Sequence, residues 1–128
     1  YELSLHTDIP IAADEMLTDF DSAKKIIDNQ SASVFILKPM LIGGYRDIKK
    51  IIDLANSESI RYNISSLLES NVARLYYMHL CSAFNIKDTC GIATNIFFES
   101  DLCSFPPLIN GELVLSNKPG LGIYEINL

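Results

Sequence analysis

The sequence predicts an α/β domain, a parallel sheet with crossover helices followed by a β-rich tail. Short apolar runs alternate with amphipathic stretches in the order strand, helix, strand, helix, strand, helix, strand, at roughly 25-residue spacing, and such alternation makes a parallel sheet. The run Val34-Phe35-Ile36-Leu37 is apolar at every position, as in a strand covered on both faces. Beyond Phe98 the alternation ceases: Pro106-Pro107 breaks the chain, and Asn110-Gly111 stands between two apolar stretches as a hairpin turn.

Each element has its own justification. Ile9 to Ala13 reads as a short strand ending at Asp14-Glu15. Leu17 to Asp28 reads as a helix capped by Asp19 or Asp21, with Phe20, Ala23, Ile26 and Ile27 on one face. Ser33 to Leu37 is the second strand; Pro39 cannot donate to a ladder, so the strand stops at Lys38. Gly44 to Asn56 is a helix in which Ile48, Ile51, Ile52 and Ala55 form a stripe. Ile60 to Ile64 is the third strand. A helix follows from about Ser70 to Phe84, with Val72, Tyr76, Leu80 and Ala83 inward. Cys90 to Thr94 is a fourth apolar run. A partial α/β body of about three β-α units and a final strand is thus expected over residues 1–105, and a β-rich tail over 106–128.

Composition narrows the function classes. With 128 residues, of which 48% are hydrophobic, the chain has enough apolar material for a core and is not a disordered segment. Ten basic against sixteen acidic residues give a net charge of −6, and the basic pairs Lys24-Lys25 and Lys49-Lys50 fall on helical patterns as solvated faces. No basic stripe for nucleic acid is present. No apolar run approaches the ~18–20 residues that span a bilayer. Tyr1 to Asp8 has no basic stretch leading into an apolar core, and it lacks an initiator Met; the chain reads as a fragment of a cytoplasmic protein rather than one that begins with a signal peptide. Cys81, Cys90 and Cys103 form no CxxC pair and read as ordinary thiols. His6 and His79 lack ligand spacing and read as structural or surface histidines.

The chemistry-bearing residues cluster at the carboxyl ends of the expected strands, where α/β folds place their sites. Lys38 suits a base, an electrophilic cation or a substrate clamp; the plain alternative is a lysine whose stem is buried and whose charge reaches water. Asp14 and Glu15 close the first strand. Adjacent strand residues point to opposite faces, so one of the two is expected to enter a site, as an oxygen ligand of Mg²⁺. A charge pair before a helix explains them equally well. Gly43 and Gly44 either admit a substrate to the backbone or form the turn into the helix. Ser66-Leu67-Leu68-Glu69 fits a capping box, and the same helix start is suited to a carboxylate or phosphate.

Taken together, Pro10-Ile11-Ala12-Ala13-Asp14-Glu15, Ile36-Leu37-Lys38-Pro39-Met40-Leu41-Ile42-Gly43-Gly44, Ser65-Ser66-Leu67-Leu68-Glu69-Ser70-Asn71 and Pro119-Gly120-Leu121-Gly122-Ile123 resemble the enolase superfamily, and within it the o-succinylbenzoate synthases of menaquinone biosynthesis. The resemblance covers only the C-terminal portion of an enolase-type (β/α)-barrel. It implies an Mg²⁺-dependent lyase that removes water in syn fashion from 2-succinyl-6-hydroxy-2,4-cyclohexadiene-1-carboxylate. By resemblance, Asp14 is the third carboxylate ligand of Mg²⁺, Lys38 faces the substrate across from the catalytic base, and Ser65, Ser66 and the following turn at Leu67 lie against the substrate; Gly43 and Gly44 are carried as substrate-binding candidates from their place after Lys38. The other two metal ligands and the Lys-x-Lys base of that family match nothing in this sequence. Ala13 departs harmlessly from the pattern, and Cys90 to Thr94 matches the family's last strand only loosely.

The implied partners are a small-molecule carboxylate and the N-terminal half of the same polypeptide. A barrel of this kind needs roughly 250 residues, so these residues alone leave strand edges open, which invites association with a second copy, and they are expected to be inactive. Two alternatives stand beside this reading. One is a dipeptide epimerase or N-acylamino-acid racemase of the same superfamily. The other, of a different class, is a receiver-like signalling module. It is disfavoured because a single strand precedes Lys38, where a phosphoacceptor would need about two.

Overall fold

The computed structural model describes residues 1–123 and 125–127, in two compact units: residues 1–65 with 87–90, and residues 66–86 with 91–128. This division does not fall at residue 105, where the change of pattern suggested a boundary.

The first unit holds the sheet. After a 3-10 turn at Glu2–Leu5 come β1 (Ala12–Ala13), α1 (Phe20–Asp28), β2 (Val34–Leu37), a short α2 (Pro39–Ile42), α3 (Tyr45–Ser57) and β3 (Arg61–Ile64). The three strands lie in the order β1-β2-β3, all parallel, with Ala13 beside Phe35 and Leu37 beside Ile64. Parallel neighbours require crossovers; α1 supplies the first, and α2 with α3 the second. Phe35, Leu37 and Ile64 are fully buried, as are Ile48, Ile51 and Ala55 on the expected stripe of α3. β2 buries one face fully, at Phe35 and Leu37, while Val34 and Ile36 on the other face are half-buried, so it is not covered on both faces as expected; α3 packs against β3 and α1.

Local chemistry sets the boundaries. β1 is shorter than the expected strand over residues 9–13, because Pro10 has no N–H to give and Ile9 is exposed. Asp19 caps α1 reciprocally: its Oδ1 accepts from the Ser22 N–H at 2.7 Å, and its own N–H donates to Ser22 Oγ at 2.9 Å. Leu17, expected inside this helix, lies before it and is fully buried. Pro39 opens α2 at the first helical position, where its missing N–H costs nothing. At the outer edge of β3, Arg61 meets Asp88 at 2.8 Å and Asn63 Nδ2 donates to the Thr89 carbonyl at 3.0 Å, so residues 88–89 lie along that edge.

The second unit contains α4 (Asn71–Ala83) and a 3-10 turn at Thr94–Phe97. Its buried face is Asn71, Arg74, Leu75, Tyr77, Met78 and Leu80; Ala83, expected inward, is exposed. The helix is rotated from the apolar reading because an arginine and an asparagine occupy the covered side. Cys90 to Thr94 does not form a strand: Gly91 makes a lone bridge, and the backbone coils from Thr94. The Asn-Gly hairpin is present, with Asn110 at φ 52° and Gly111 at φ 82°, and Ile109 and Glu112 exchange both backbone hydrogen bonds. The remainder of the tail is thinner in β-structure than expected, with one further antiparallel bridge between Cys103 and Ile126 among the described residues. Tyr124 and Leu128 of that tail lie outside the described residues.

Candidate active site

Lys38 is the first residue beyond β2, and its backbone is locked there: its carbonyl accepts from the N–H groups of Leu41 and Ile42 as α2 begins. The side chain is only 6% exposed, yet it carries an ammonium group that must be matched. Two carboxylates do so. Asp14 Oδ1 stands 2.6 Å from Nζ and Glu15 Oε1 stands 3.0 Å away. Both acids reach the lysine, contrary to the expectation that only one could. The strand ends at Ala13, so Asp14 and Glu15 lie in a turn and the alternation of a strand no longer applies to them. That turn is closed by the Leu17 N–H on the Asp14 carbonyl at 3.0 Å.

The electrostatics follow from this triad. The close contact with the Asp14 carboxylate raises the Lys38 pKa above its ordinary 10.5; burial opposes it, and Glu15 adds to it. Lys38 in turn holds the exposed Glu15 carboxyl below the usual range, chiefly through their hydrogen bond. At neutral pH the group is therefore a fixed cation, and a lysine so protonated is a poor proton acceptor.

Ser65 extends the ladder by one step, its N–H donating to the Leu37 carbonyl at 2.9 Å, so it ends β3 level with Lys38 on β2. Gly43 and Gly44 close α2 and open α3. Gly43 has φ +125°, and a Cβ there would stand 2.9 Å from Asp47 Oδ2, so the backbone itself demands glycine; at Gly44 a Cβ would meet nothing within 4 Å.

Ser66 and Leu67 belong to the second unit. Ser66 is buried, its N–H donating to the Gly91 carbonyl at 2.8 Å and its Oγ 2.9 Å from Thr94 Oγ1, while Leu67 is exposed. The capping box expected over residues 66–69 is not formed. α4 starts at Asn71 with Ser70 as a cap that makes no side-chain bond, and Glu69 instead accepts from the Tyr77 hydroxyl at 2.9 Å. The first N–H of α4 is already taken: Asn71 N donates to both oxygens of Asp101, at 2.8 and 2.9 Å. Glu15, Arg74 and Asp101 carry contacts that sequence reasoning missed. The acid beside Asp14 was a signal for the first; nothing in the sequence pairs Arg74 with a residue 27 positions on.

Among the described residues Asp14 Oδ1 is buried without a hydrogen-bond partner, its contact with the Lys38 ammonium being an ion pair. Among the described residues no three His, Cys, Asp or Glu side chains gather as a complete ligand set. Mg²⁺ is often held by one or two protein carboxylates with waters or substrate, and the oxygen chemistry of Asp14 suits one such ligand.

Parallel strands joined by crossover helices, with a buried cation at the carboxyl end of the middle strand, are an α/β arrangement of the kind that (β/α)-barrels repeat. The chain belongs to the enolase C-terminal domain-like family, whose model matches residues 1–126. It is 27% identical over 127 residues to the o-succinylbenzoate synthase of Bacillus subtilis (strain 168), covering 98% of this chain and 34% of that protein. It is 32% identical over 126 residues to muconate cycloisomerase 1 of Acinetobacter baylyi, covering 94% and 33%. The solved structure of N-succinyl Arg/Lys racemase from Bacillus cereus ATCC 14579 superposes with a TM-score of 0.89 at 28% identity, covering 98% of this chain and 34% of that one. The chain spans about a third of the length of the curated relatives it matches.

Proposed function

We propose that this chain is the C-terminal part of an o-succinylbenzoate synthase-like lyase. The observation that carries the reading is the buried Lys38, held as a cation by Asp14 and Glu15 at the end of β2. The curated relatives named o-succinylbenzoate synthase, at 27 and 28% identity, support the choice of reaction.

In that reaction a base takes the proton α to the carboxylate and the C–H electron pair enters the carboxylate as an enediolate; the enediolate then collapses to a ring C=C bond as the C–O bond breaks, and the hydroxyl leaves as water with the proton returned by the conjugate acid of the base. A proton α to a carboxylate is weakly acidic, so the barrier falls only if the growing negative charge meets fixed positive charge. Lys38 supplies that charge without reorganisation, since its ammonium is already desolvated and oriented. Its raised pKa suits this role better than proton abstraction; the base comes from the remainder of the polypeptide. Gly43, Gly44, Ser65, Ser66 and Leu67 are assigned to the substrate's carboxylate and succinyl arm. Asp14 would hold Mg²⁺, which when bound would supply Lewis-acid stabilisation of the carboxylate. The reading carries with it a small-molecule carboxylate substrate, the rest of the same polypeptide as partner, a cytoplasmic site of action, and no turnover by these 128 residues alone.

A second reading within the family, a racemase of N-succinylamino acids, is favoured by the superposition on the Bacillus cereus racemase. Substrate profiling of the full-length protein separates the two. The expected result is dehydration of the cyclohexadiene carboxylate, reduced about 10²–10³-fold in kcat by Lys38→Met as one preorganised charge is removed. Racemisation of an N-succinylamino acid without dehydration would overturn the first reading in favour of the second.

A further inference from the structure

The second unit hides a charge that the proposed reaction does not use. Arg74, on the covered face of α4, has no exposed surface. Its Nη2 lies 3.3 Å from Asp101 Oδ2 and its guanidinium stacks 4.5 Å over the Phe105 ring, while Nε and Nη1 have no hydrogen-bond partner among the described residues. Asp101 also accepts from the Asn71 N–H through both oxygens and from the Leu102 N–H at 2.7 Å, and Asn71 Nδ2 donates to the Cys103 carbonyl. One carboxylate thus ties the first turn of α4 to residues 101–103, and one buried guanidinium holds that carboxylate in place. An incompletely bonded buried arginine is costly, and an apolar side chain would fill the same space more cheaply, so stability alone does not account for it.

What the tie controls is the segment just before α4. Residues 66–70 have no regular structure. Ser66 is anchored at the near end to Gly91 and Thr94. At the far end Glu69 binds the Tyr77 hydroxyl, and Asn71 is pinned by Asp101. Leu67 and Leu68 are left exposed between the anchors. The segment is a short bridge whose shape depends on where its far end is fixed.

We infer that Arg74 and Asp101 are positioning residues that fix the far end of the Ser66–Ser70 segment and thereby set affinity for the substrate arm. This rests on the reading that Ser66 and Leu67 meet the substrate. A charge-assisted anchor of this kind governs where a binding segment sits, not the bond-breaking step, so its loss falls on KM.

The test uses the full-length protein with Asp101→Asn, which keeps the shape and one acceptor, and Arg74→Lys, which keeps the charge but loses the planar fork. Steady-state kinetics are measured on the cyclohexadiene carboxylate and on an N-succinylamino acid, with backbone hydrogen exchange on the same samples. On whichever substrate the wild type turns over, Asp101→Asn is expected to raise KM about tenfold with kcat within about threefold. Exchange over residues 66–72 quickens while α3 is unchanged. Arg74→Lys shows a smaller rise in KM. A core variant of matched thermal stability, Ile48→Val, leaves KM unmoved, which separates positioning from general weakening. An Asp101→Asn protein with wild-type KM, or with kcat and KM falling together, overturns the inference while leaving the proposed function intact. A wild-type protein that turns over neither substrate overturns the functional reading and this role with it. If Asp101→Asn does not fold, the KM of Arg74→Lys decides.

Discussion

Substituting Asp14 by Asn removes one charge from the Lys38 triad and almost nothing else, since the amide oxygen replaces Oδ1 at nearly the same volume. The buried Lys38 side chain, 7% exposed, is then left with Glu15 as its remaining carboxylate, a side chain that is 83% exposed. At 2.6 Å, an effective dielectric of ~20 gives an attraction of ~6 kcal/mol, whereas bulk water gives ~1.6. The Asp14 side chain is 41% exposed, so screening brings the interaction toward the lower figure, and a net loss of about 1–2 kcal/mol is expected. The assay is urea denaturation at neutral and alkaline pH, with NMR titration of the Lys38 ε-carbon. The sign is set by the raised pKa: the contribution of Lys38 is fully present below its ordinary 10.5 and is lost as pH rises through the higher folded value. Asp14→Asn should therefore lie below wild type at neutral pH, converge on it in strong alkali, and move the Lys38 titration downward. Equal stability at neutral pH with an unmoved lysine titration would refute the pairing.

Two other predictions address the scaffold. Gly43→Ala forces a side chain into φ +125° and against Asp47, and should lower stability by about 1–3 kcal/mol by urea denaturation, whereas Gly44→Ala, which meets open space, should cost less. Ile48→Ala empties a fully buried site in the stripe of α3 and should cost about 2–5 kcal/mol, read as a lower denaturation midpoint with an unchanged urea m-value.

The parts of the fold that were legible in the sequence are those where one physical signal dominates. β2 has apolar residues at every position, and α3 has an uninterrupted Ile48-Ile51-Ile52-Ala55 stripe, so both elements stand where expected, although β2 buries only its Phe35-Leu37 face fully. The Asn-Gly turn was fixed by the left-handed backbone that both residues tolerate. α4 was placed correctly but turned wrongly, because hydrophobicity cannot show that Arg74 and Asn71 face inward when their partner, Asp101, lies on a later segment. The same limit applies to Ser66-x-x-Glu69, which has the letters of a cap but whose glutamate is claimed by Tyr77. At the candidate site Lys38 and Asp14 were identified from their place at strand ends, and the structure brings their charges together. Glu15 was discounted by a strand rule that lapses one residue after the strand stops.

The ladder between β1 and β2 has a consequence for how the gene can change. Ala13 lies beside Phe35, so Asp14 is level with Ile36 and the ammonium of Lys38 meets it from two rungs further on. Residues added in the polar stretch 29–32 would lengthen a turn and leave that offset as it is. A single residue gained or lost within Val34–Leu37 would turn Lys38 to the opposite face or move it off its rung. Insertions and deletions should therefore be tolerated on one side of Ser33 and purged on the other, and a library of single-codon indels across residues 28–40, selected for function, would draw that line at the first residue of β2.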